Sequence, residues 1–267
     1  MKKLCVSFMV LICTMMHLSA QSNSNQIYGF SVKTDLPLAI VGLGTYSAGL
    51  KFQSTTQALD SAQINALDIN LVNPFDQIST RLWSEKADKA SYGLLYASYA
   101  APLLLYTTQN GRNNALPIAV MFAESYFVSV GINIFTKGSV RRNRPLLYNS
   151  EAPWDTKLTS DARLSFFSGH ASSTSTFCFL TAKIYNDLYP DSKWRGLVWG
   201  TAVAIPAATS ILRVVAGRHY PTDVIFGFGL GALIGWGIPT LHKKNSHNMS
   251  FYPLGGNQVG LGMVKAF

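Results

Sequence analysis

Residues 163–177 read RLSFFSGHASSTSTF, and the fold turns on what this stretch is. Ser168, Gly169 and His170 stand at the mouth of a run with the length and spacing of a helix, rich in small residues and hydroxyls. Taken alone, Ser and Gly punctuate a turn and the histidine is packed against it. A Ser-Gly pair at a helix start also offers backbone N–H groups and a hydroxyl to an anion, with the helix macrodipole behind them. The rest of the chain decides between the two.

Outward from this stretch the chain is a series of apolar segments. They cover about 36–50, 91–106, 116–136, 172–186, 196–215 and 221–241, each helical in length. The prediction is an all-α bundle of about six core helices, membrane-associated, with short β-like segments near both mature termini. Segments 116–136 and 221–241 reach the roughly 20 residues a bilayer requires. Segment 36–50 is short and interrupted by Pro37, Gly42, Gly44 and Gly49, while 172–186 carries Lys183 among many Ser and Thr. Residues 27–34 (IYGFSVKT) alternate and read as a strand, as does the tail, where Val259, Leu261, Met263 and Phe267 share a face. The two are expected to pair. A polar insert between the first two segments is expected to hold short surface helices.

Composition supports an apolar architecture. Of 267 residues 48% are hydrophobic and only 13% charged, against roughly 25% charged in ordinary soluble domains. Mean hydropathy is +0.16. The first residues, MKKLCVSFMVLICTMMHLSAQ, place Lys2 and Lys3 before an apolar run and then a small-residue break. This is the layout of a signal peptide over 1–20, or of an uncleaved anchor. Cleavage removes Cys5 and Cys13 and leaves Cys178, so no internal disulfide holds the mature chain. It also takes the formal charge from +9 to +7, a balance suited to anionic lipid or phosphate-bearing ligands. No Cys/His spacing suggests a metal, and no basic–aromatic interleaving suggests nucleic acid. The expected organisation is 1–20 signal, 21–90 strand, first segment and insert, 91–241 catalytic helical domain, and 242–267 tail.

Two further clusters carry chemistry. KGSVRRNRP contains Lys137, Arg141, Arg142 and Arg144; Pro145 restricts the backbone of Arg144 and fixes the turn from which it projects. Arg141 and Arg142 either steer anionic substrates or solvate that loop, the second being the simpler reading. RVVAGRHYPTD contains Arg213, His219 and Asp223. If a helix starts near Pro221, Asp223 lies one turn from His219, can accept its imidazole N–H, and leaves the other nitrogen free to attack. Arg218 has no assigned role, and Glu124 reads as a carboxylate paired with a basic side chain inside the bundle.

The three clusters in this order are similar to the signature of the type 2 phosphatidic acid phosphatase superfamily, which includes bacterial acid phosphatases, lipid phosphatases and vanadium haloperoxidases. Six residues separate Lys137 from Arg144-Pro145; Ser168-Gly169-His170 follows; five residues separate Arg213 from His219, and three separate His219 from Asp223. The match spans 137–223, and the surrounding helices extend it to about 90–241. Phe167 stands where the family usually has Pro, and Leu212 where it usually has Ser.

The resemblance implies a metal-independent phosphatase without a cofactor. In it His219 attacks phosphorus, Asp223 orients His219, and His170 protonates the leaving group. Lys137, Arg144, Ser168, Gly169 and Arg213 bind the phosphate. Neutral His219 with protonated His170 implies a bell-shaped pH profile near the ordinary imidazole range. The implied partner is a phosphorylated substrate, in first place a lipid at the periplasmic side. A soluble periplasmic acid phosphatase and a vanadium haloperoxidase are the alternatives. If 36–50 does not cross the bilayer, the site faces the periplasm and the HKK run at 242–244 falls inside. The loops 51–90 and 145–165 have no readable specificity code.

Overall fold

A computed structural model describes residues 26–244, 249–254 and 260–265, the last two stretches by backbone alone. Both the leader at 1–20 and the tail residues Val259 and Phe267 lie outside the described residues.

Nine α-helices occur among the described residues: α1 (Val32–Ser54), α2 (Ser61–Asn65), α3 (Glu85–Ala100), α4 (Gln109–Asn113), α5 (Ala115–Val140), α6 (Trp154–Lys157), α7 (Gly169–Leu188), α8 (Arg195–Val215) and α9 (Pro221–His242). The six long ones follow the six apolar segments, except that 91–106 runs on from α3 into a 3-10 helix, Ala101–Thr107. α7 is the centre, packed by α9, α8, α5 and α3, while α1 lies along α5. The polar insert holds α2 and two 3-10 turns, Ile69–Leu71 and Gln77–Arg81.

Segment 36–50 is not broken. It lies within the 23-residue α1, because its glycines serve packing. A Cβ on Gly42 would sit 3.0 Å from Phe127 and one on Gly49 2.5 Å from the amide of Phe135, so both let α1 approach the α5 backbone. Pro37 falls in the second turn and forfeits one hydrogen bond of the ladder.

The hydroxyls of α7 have a similar explanation. Ser129 of α5 lies 3.1 Å from Ser172 and accepts from Thr176 at 3.1 Å, and Ser175 donates to the Phe228 carbonyl of α9 at 2.9 Å. Small side chains that bond across helices allow close packing while pairing most of their buried polar atoms; Thr174 Oγ1 has no partner among the described residues. One apolar core, with Tyr28, Ile118, Met121, Phe177, Leu180, Ile184 and Ile238, fills the lower half of the bundle. A second, with Ile64, Leu146, Leu147, Ala152 and Ala162, lies beneath the loops at the other end.

Three helical stretches are long and apolar enough to cross a membrane: Ala115–Tyr148, Arg195–Val215 and Pro221–His242, with mean hydropathies of 1.7, 1.5 and 1.7. Arg195–Val215 joins the two such stretches recognised from sequence. Exposed Ile225, Phe226, Leu233, Trp236 and Leu241 on α9, and Leu197, Val203 and Ile211 on α8, give these helices an apolar outer face.

The strand expected over 27–34 is a correction. Only Tyr28 makes a β-bridge, antiparallel to Lys243, and α1 starts at Val32. The reason is local: Ser31 caps the helix by accepting from the Lys33 amide, and the Asp35 carboxylate accepts from the Ser31 amide at 2.6 Å. The tail forms strands, β1 (Met249–Leu254) and β2 (Gly260–Lys265). They pair antiparallel with each other, Met249 opposite Lys265, not with 27–34.

Candidate active site

Each of the three sequence clusters ends at the same end of the bundle. The first lies at the C-terminus of α5, the second at the N-terminus of α7, and the third in the turn between α8 and α9. That turn depends on Gly217, whose φ of +64° favours glycine and whose missing Cβ would lie 2.3 Å from the Leu82 carbonyl.

α9 begins at Pro221, so His219 and Asp223 are one turn apart. His219 Nδ1 faces Asp223 Oδ2 at 3.6 Å, and both residues are buried. His219 Nε2 lies 3.2 Å from Arg144 Nη1. One ring nitrogen is therefore directed at a carboxylate and the other at a guanidinium, where an anion would sit.

Arg144 is extended before Pro145, as the sequence requires, and its amide donates to the Ala162 carbonyl at 2.8 Å. Its buried guanidinium donates to the Arg218 carbonyl at 2.9 Å, the Asp161 carbonyl at 2.8 Å and Asp161 Oδ1 at 2.9 Å. Arg213, equally buried, pairs with Asp88 and donates to Ser91 Oγ at 3.1 Å. Arg218 shares Asp88 at 2.8 Å and lies over the Trp83 ring. Lys137 makes no side-chain hydrogen bond to the described residues, yet its charge acts on both His170 and His219.

Ser168 is the N-cap of α7. Its Oγ accepts from the Ala171 amide at 3.4 Å, its amide donates to the Asp223 carbonyl at 3.1 Å, and its hydroxyl proton is uncommitted among the described residues. Gly169 opens the helix; a Cβ there would lie 2.9 Å from Asn133 Oδ1 and press on that side-chain amide. Asn133 in turn donates to the Phe167 carbonyl at 2.8 Å. His170 Nε2 is buried without a partner among the described residues, and its ring meets the edge of Tyr92, centroids 4.4 Å apart. Tyr92 also faces Arg213, whose guanidinium carbon is 6.0 Å from the ring centroid.

The electrostatics follow from crowding cations into a buried site. Burial, then Arg213, Lys137 and Arg144, lower the His170 pKa to about 2. Burial, then Arg144 and Arg213, hold His219 well below the ordinary imidazole value. Burial pushes Asp161 up, but Arg144 and Lys137 more than offset it and keep its carboxyl below the usual range. Both shifts favour the neutral imidazole in the free site.

Several residues of this constellation carry no sequence signal. Arg142 is the main correction: it does not solvate a loop. It donates to Asp223 Oδ1 at 2.5 Å, Asp76 Oδ2 at 2.7 Å and Thr222 Oγ1 at 2.9 Å, and stacks on Tyr220 with 4.0 Å to the ring centroid. Ser165 donates to Asp223 Oδ2 at 2.5 Å and the Tyr220 amide to the same oxygen at 3.0 Å. Arg141 is instead a helix C-cap in the left-handed region, φ 51°, donating to Thr55 Oγ1 at 2.7 Å. Arg218 now has a partner in Asp88. Asp76 and Asp88 come from the polar insert and Asp161 from the 145–165 loop, the two regions with no readable code. Isolated acids in polar loops look alike until the fold brings them to an arginine.

Phe167 is fully buried, with its ring 5.4 Å from that of Phe226. It packs α7 against α9 and does not face an incoming substrate. Leu212 is half-buried on α8.

Residues 115–247 match the model of the PAP2 superfamily. The chain is 33% identical over 113 residues to the decaprenylphosphoryl-5-phosphoribose phosphatase of Mycobacterium tuberculosis, in two strains. That match covers 41% of this chain, which spans about half (52%) of those relatives' length. Among solved structures it is similar to the first transmembrane PAP2-type phosphatidylglycerolphosphate phosphatase from Bacillus subtilis. The identity is 18%, over 76% of this chain and 96% of that one, with a TM-score of 0.46.

Proposed function

This chain belongs to the PAP2 superfamily through residues 115–247, and from that premise we propose that it hydrolyses phosphate monoesters or diphosphates through a phosphohistidine. The observation that carries the reading is the two-sided setting of His219, Nδ1 toward Asp223 and Nε2 toward Arg144. A neutral imidazole so placed has its free electron pair directed at a bound phosphoryl group. Arg144, Arg213 and Lys137 hold the phosphoryl oxygens, with the Ser168 hydroxyl and the Gly169 amide completing the cradle.

In the first step the His219 Nε2–P bond forms as the P–O bond to the leaving group breaks. The departing oxygen takes a proton from His170. In the second step His170 accepts a proton from water, whose oxygen attacks phosphorus and releases His219. Asp223 stabilises the positive charge that His219 acquires. Substrate supplies what the free site lacks, since a phosphate dianion beside His170 offsets the cations that keep it unprotonated.

The substrate we propose is a lipid phosphate or diphosphate, of the lipid A, phosphatidate or polyprenyl class. Two features support this over a soluble acid phosphatase. Three helices are long and apolar enough for a bilayer and expose apolar side chains. An apolar groove of about 540 Å³ runs between α8 and α9, lined by Leu82, Ile211, Val214, Val224 and Phe228 among others. One wall, Pro221 and Val224, flanks Asp223 in the chain, so a hydrocarbon tail can lie there while its phosphate is held by the arginines. The similarity to a decaprenylphosphoryl-5-phosphoribose phosphatase favours the polyprenyl class. The site is proposed to face the periplasm.

Phosphate release by the detergent-purified full chain tests this, using lipid A, undecaprenyl diphosphate, phosphatidate and an aryl phosphate in parallel. Turnover should favour a lipid substrate. His219→Ala should abolish turnover with the fold intact, and substantial residual activity in that variant would reject the nucleophile assignment.

A further inference from the structure

At the other end of the bundle, Asp35 at the start of α1, Glu124 of α5 and His242 at the end of α9 meet. His242 Nε2 is 2.8 Å from Asp35 Oδ1 and 3.1 Å from Glu124 Oε2, and one ligand atom from each residue lies within 4.8 Å of the other two. From Asp223 to His242 is about 28 Å along α9, and from Lys137 to Glu124 about 20 Å along α5, at roughly 1.5 Å per residue. The cluster is therefore separate from the phosphate site.

The imidazole is set for ligation. His242 Nδ1 lies 2.8 Å from the Ile238 carbonyl, an oxygen that only accepts, so the Nδ1 proton is fixed there and Nε2 is the nitrogen turned to the carboxylates. If Nε2 also carries a proton, its hydrogen bond goes to Asp35 Oδ1. Glu124 Oε2, on a side chain only 10% exposed, then has no hydrogen-bond partner. If Nε2 carries none, three electron-rich atoms face one another. With both carboxylates ionised, either state leaves uncompensated negative charge among helices, which is costly.

We propose that these three residues bind a divalent transition-metal ion, with zinc the best chemical match. One imidazole nitrogen and two carboxylate oxygens leave a fourth position for water, the usual arrangement of a three-ligand zinc site. Two carboxylates, a neutral imidazole and a divalent ion sum to zero charge, and binding releases the Nε2 proton where one is present. Bonds of about 2.0–2.2 Å need ligand atoms about 3.3 Å apart, a change of tenths of an ångström from the two separations observed at His242 Nε2. The Ser31 amide, donating to Asp35 Oδ2 at 2.6 Å, orients the first carboxylate. Asp35, 27% exposed, gives the ion access from solvent. The ion would join α1, α5 and α9 at the end away from catalysis.

The test uses the full chain, tag-free, stripped with chelator and titrated with zinc chloride by calorimetry in detergent. One saturable equivalent per chain is expected, with a raised Tm. Glu124→Gln and His242→Gln should each weaken binding by about 10- to 100-fold. His219→Ala should bind as wild type does. Absence of saturable binding, or wild-type affinity in both Glu124→Gln and His242→Gln, overturns the proposal. Should those variants not fold, zinc-edge X-ray absorption on the wild-type complex decides. A single imidazole with oxygen donors supports the site, and sulfur or several imidazoles reject it.

Discussion

Replacing Arg142 by Met removes the cation that faces Asp223 while keeping an unbranched apolar stem. Asp223 is fully buried and takes four polar contacts: Arg142 at 2.5 Å, Ser165 at 2.5 Å, the Tyr220 amide at 3.0 Å and the His219 ring at 3.6 Å. Only Arg142 brings a full positive charge to it. Breaking a buried ion pair costs about 3–5 kcal/mol. Here two neutral donors remain and the Arg142 side chain is 26% exposed, so a stability loss of about 2–3 kcal/mol is expected after allowing for screening. The effect on turnover comes through His219. A carboxylate without its guanidinium is less firmly aimed at Nδ1. Loss of one charge-assisted hydrogen bond, about 1.5–3 kcal/mol, corresponds to a fall of about 10- to 150-fold in kcat. The assay is a double-mutant cycle with Asp223→Asn, reading kcat on the best substrate and Tm on the same preparations. In the Asp223→Asn background, Arg142→Met should lower kcat no more than about threefold, because the carboxylate it served is gone. An undiminished loss there would show that Arg142 acts on the phosphoryl group directly, and the positioning argument would fail.

Two other expectations rest on separate observations. His170, whose pKa burial and then the neighbouring cations lower to about 2 in the free site, is unprotonated at pH 6; a dianion offsets the cations' share of that shift and raises its pKa, so binding takes up a proton and weakens as pH rises. Sulfate, which does not titrate in this range, should bind at pH 6 with uptake of about one proton, read by calorimetry in buffers of different ionisation enthalpy; absence of uptake, or full uptake in His170→Gln, contradicts the assignment. In α9, Gly231→Ala would place a Cβ 2.2 Å from the Ser172 carbonyl, whereas at Gly229 nothing lies within 4 Å. The first should cost about 1–3 kcal/mol through overpacking and the second should be neutral or raise Tm, and equal effects would refute the α7–α9 contact.

What could be read along the chain was whatever the helix period sets locally. Six apolar runs became six helices, and His219 with Asp223 came one turn apart because Pro221 starts α9. The turn before Pro145 fixed Arg144, and Ser168 capped α7. Where a local reading failed, a neighbour far along the chain was responsible. Gly42 and Gly49 looked like breaks in a weak segment until α5 lay against them. Phe167 stood out only as a departure from the family's Pro until its ring packed on Phe226.

The sequence by itself determined the helical class, the order of the three clusters and the one-turn spacing of His219 and Asp223, since these depend on spacing along the chain. Only the tertiary structure decided which acids neutralise which arginines. Arg142 finds Asp76 from 66 residues away and Asp223 from 81, Arg213 finds Asp88 from 125, and His242 finds Asp35 from 207. No periodicity marks such pairs, because burial removes water as a partner for each charge and leaves the packing of whole helices to determine which opposite charge replaces it.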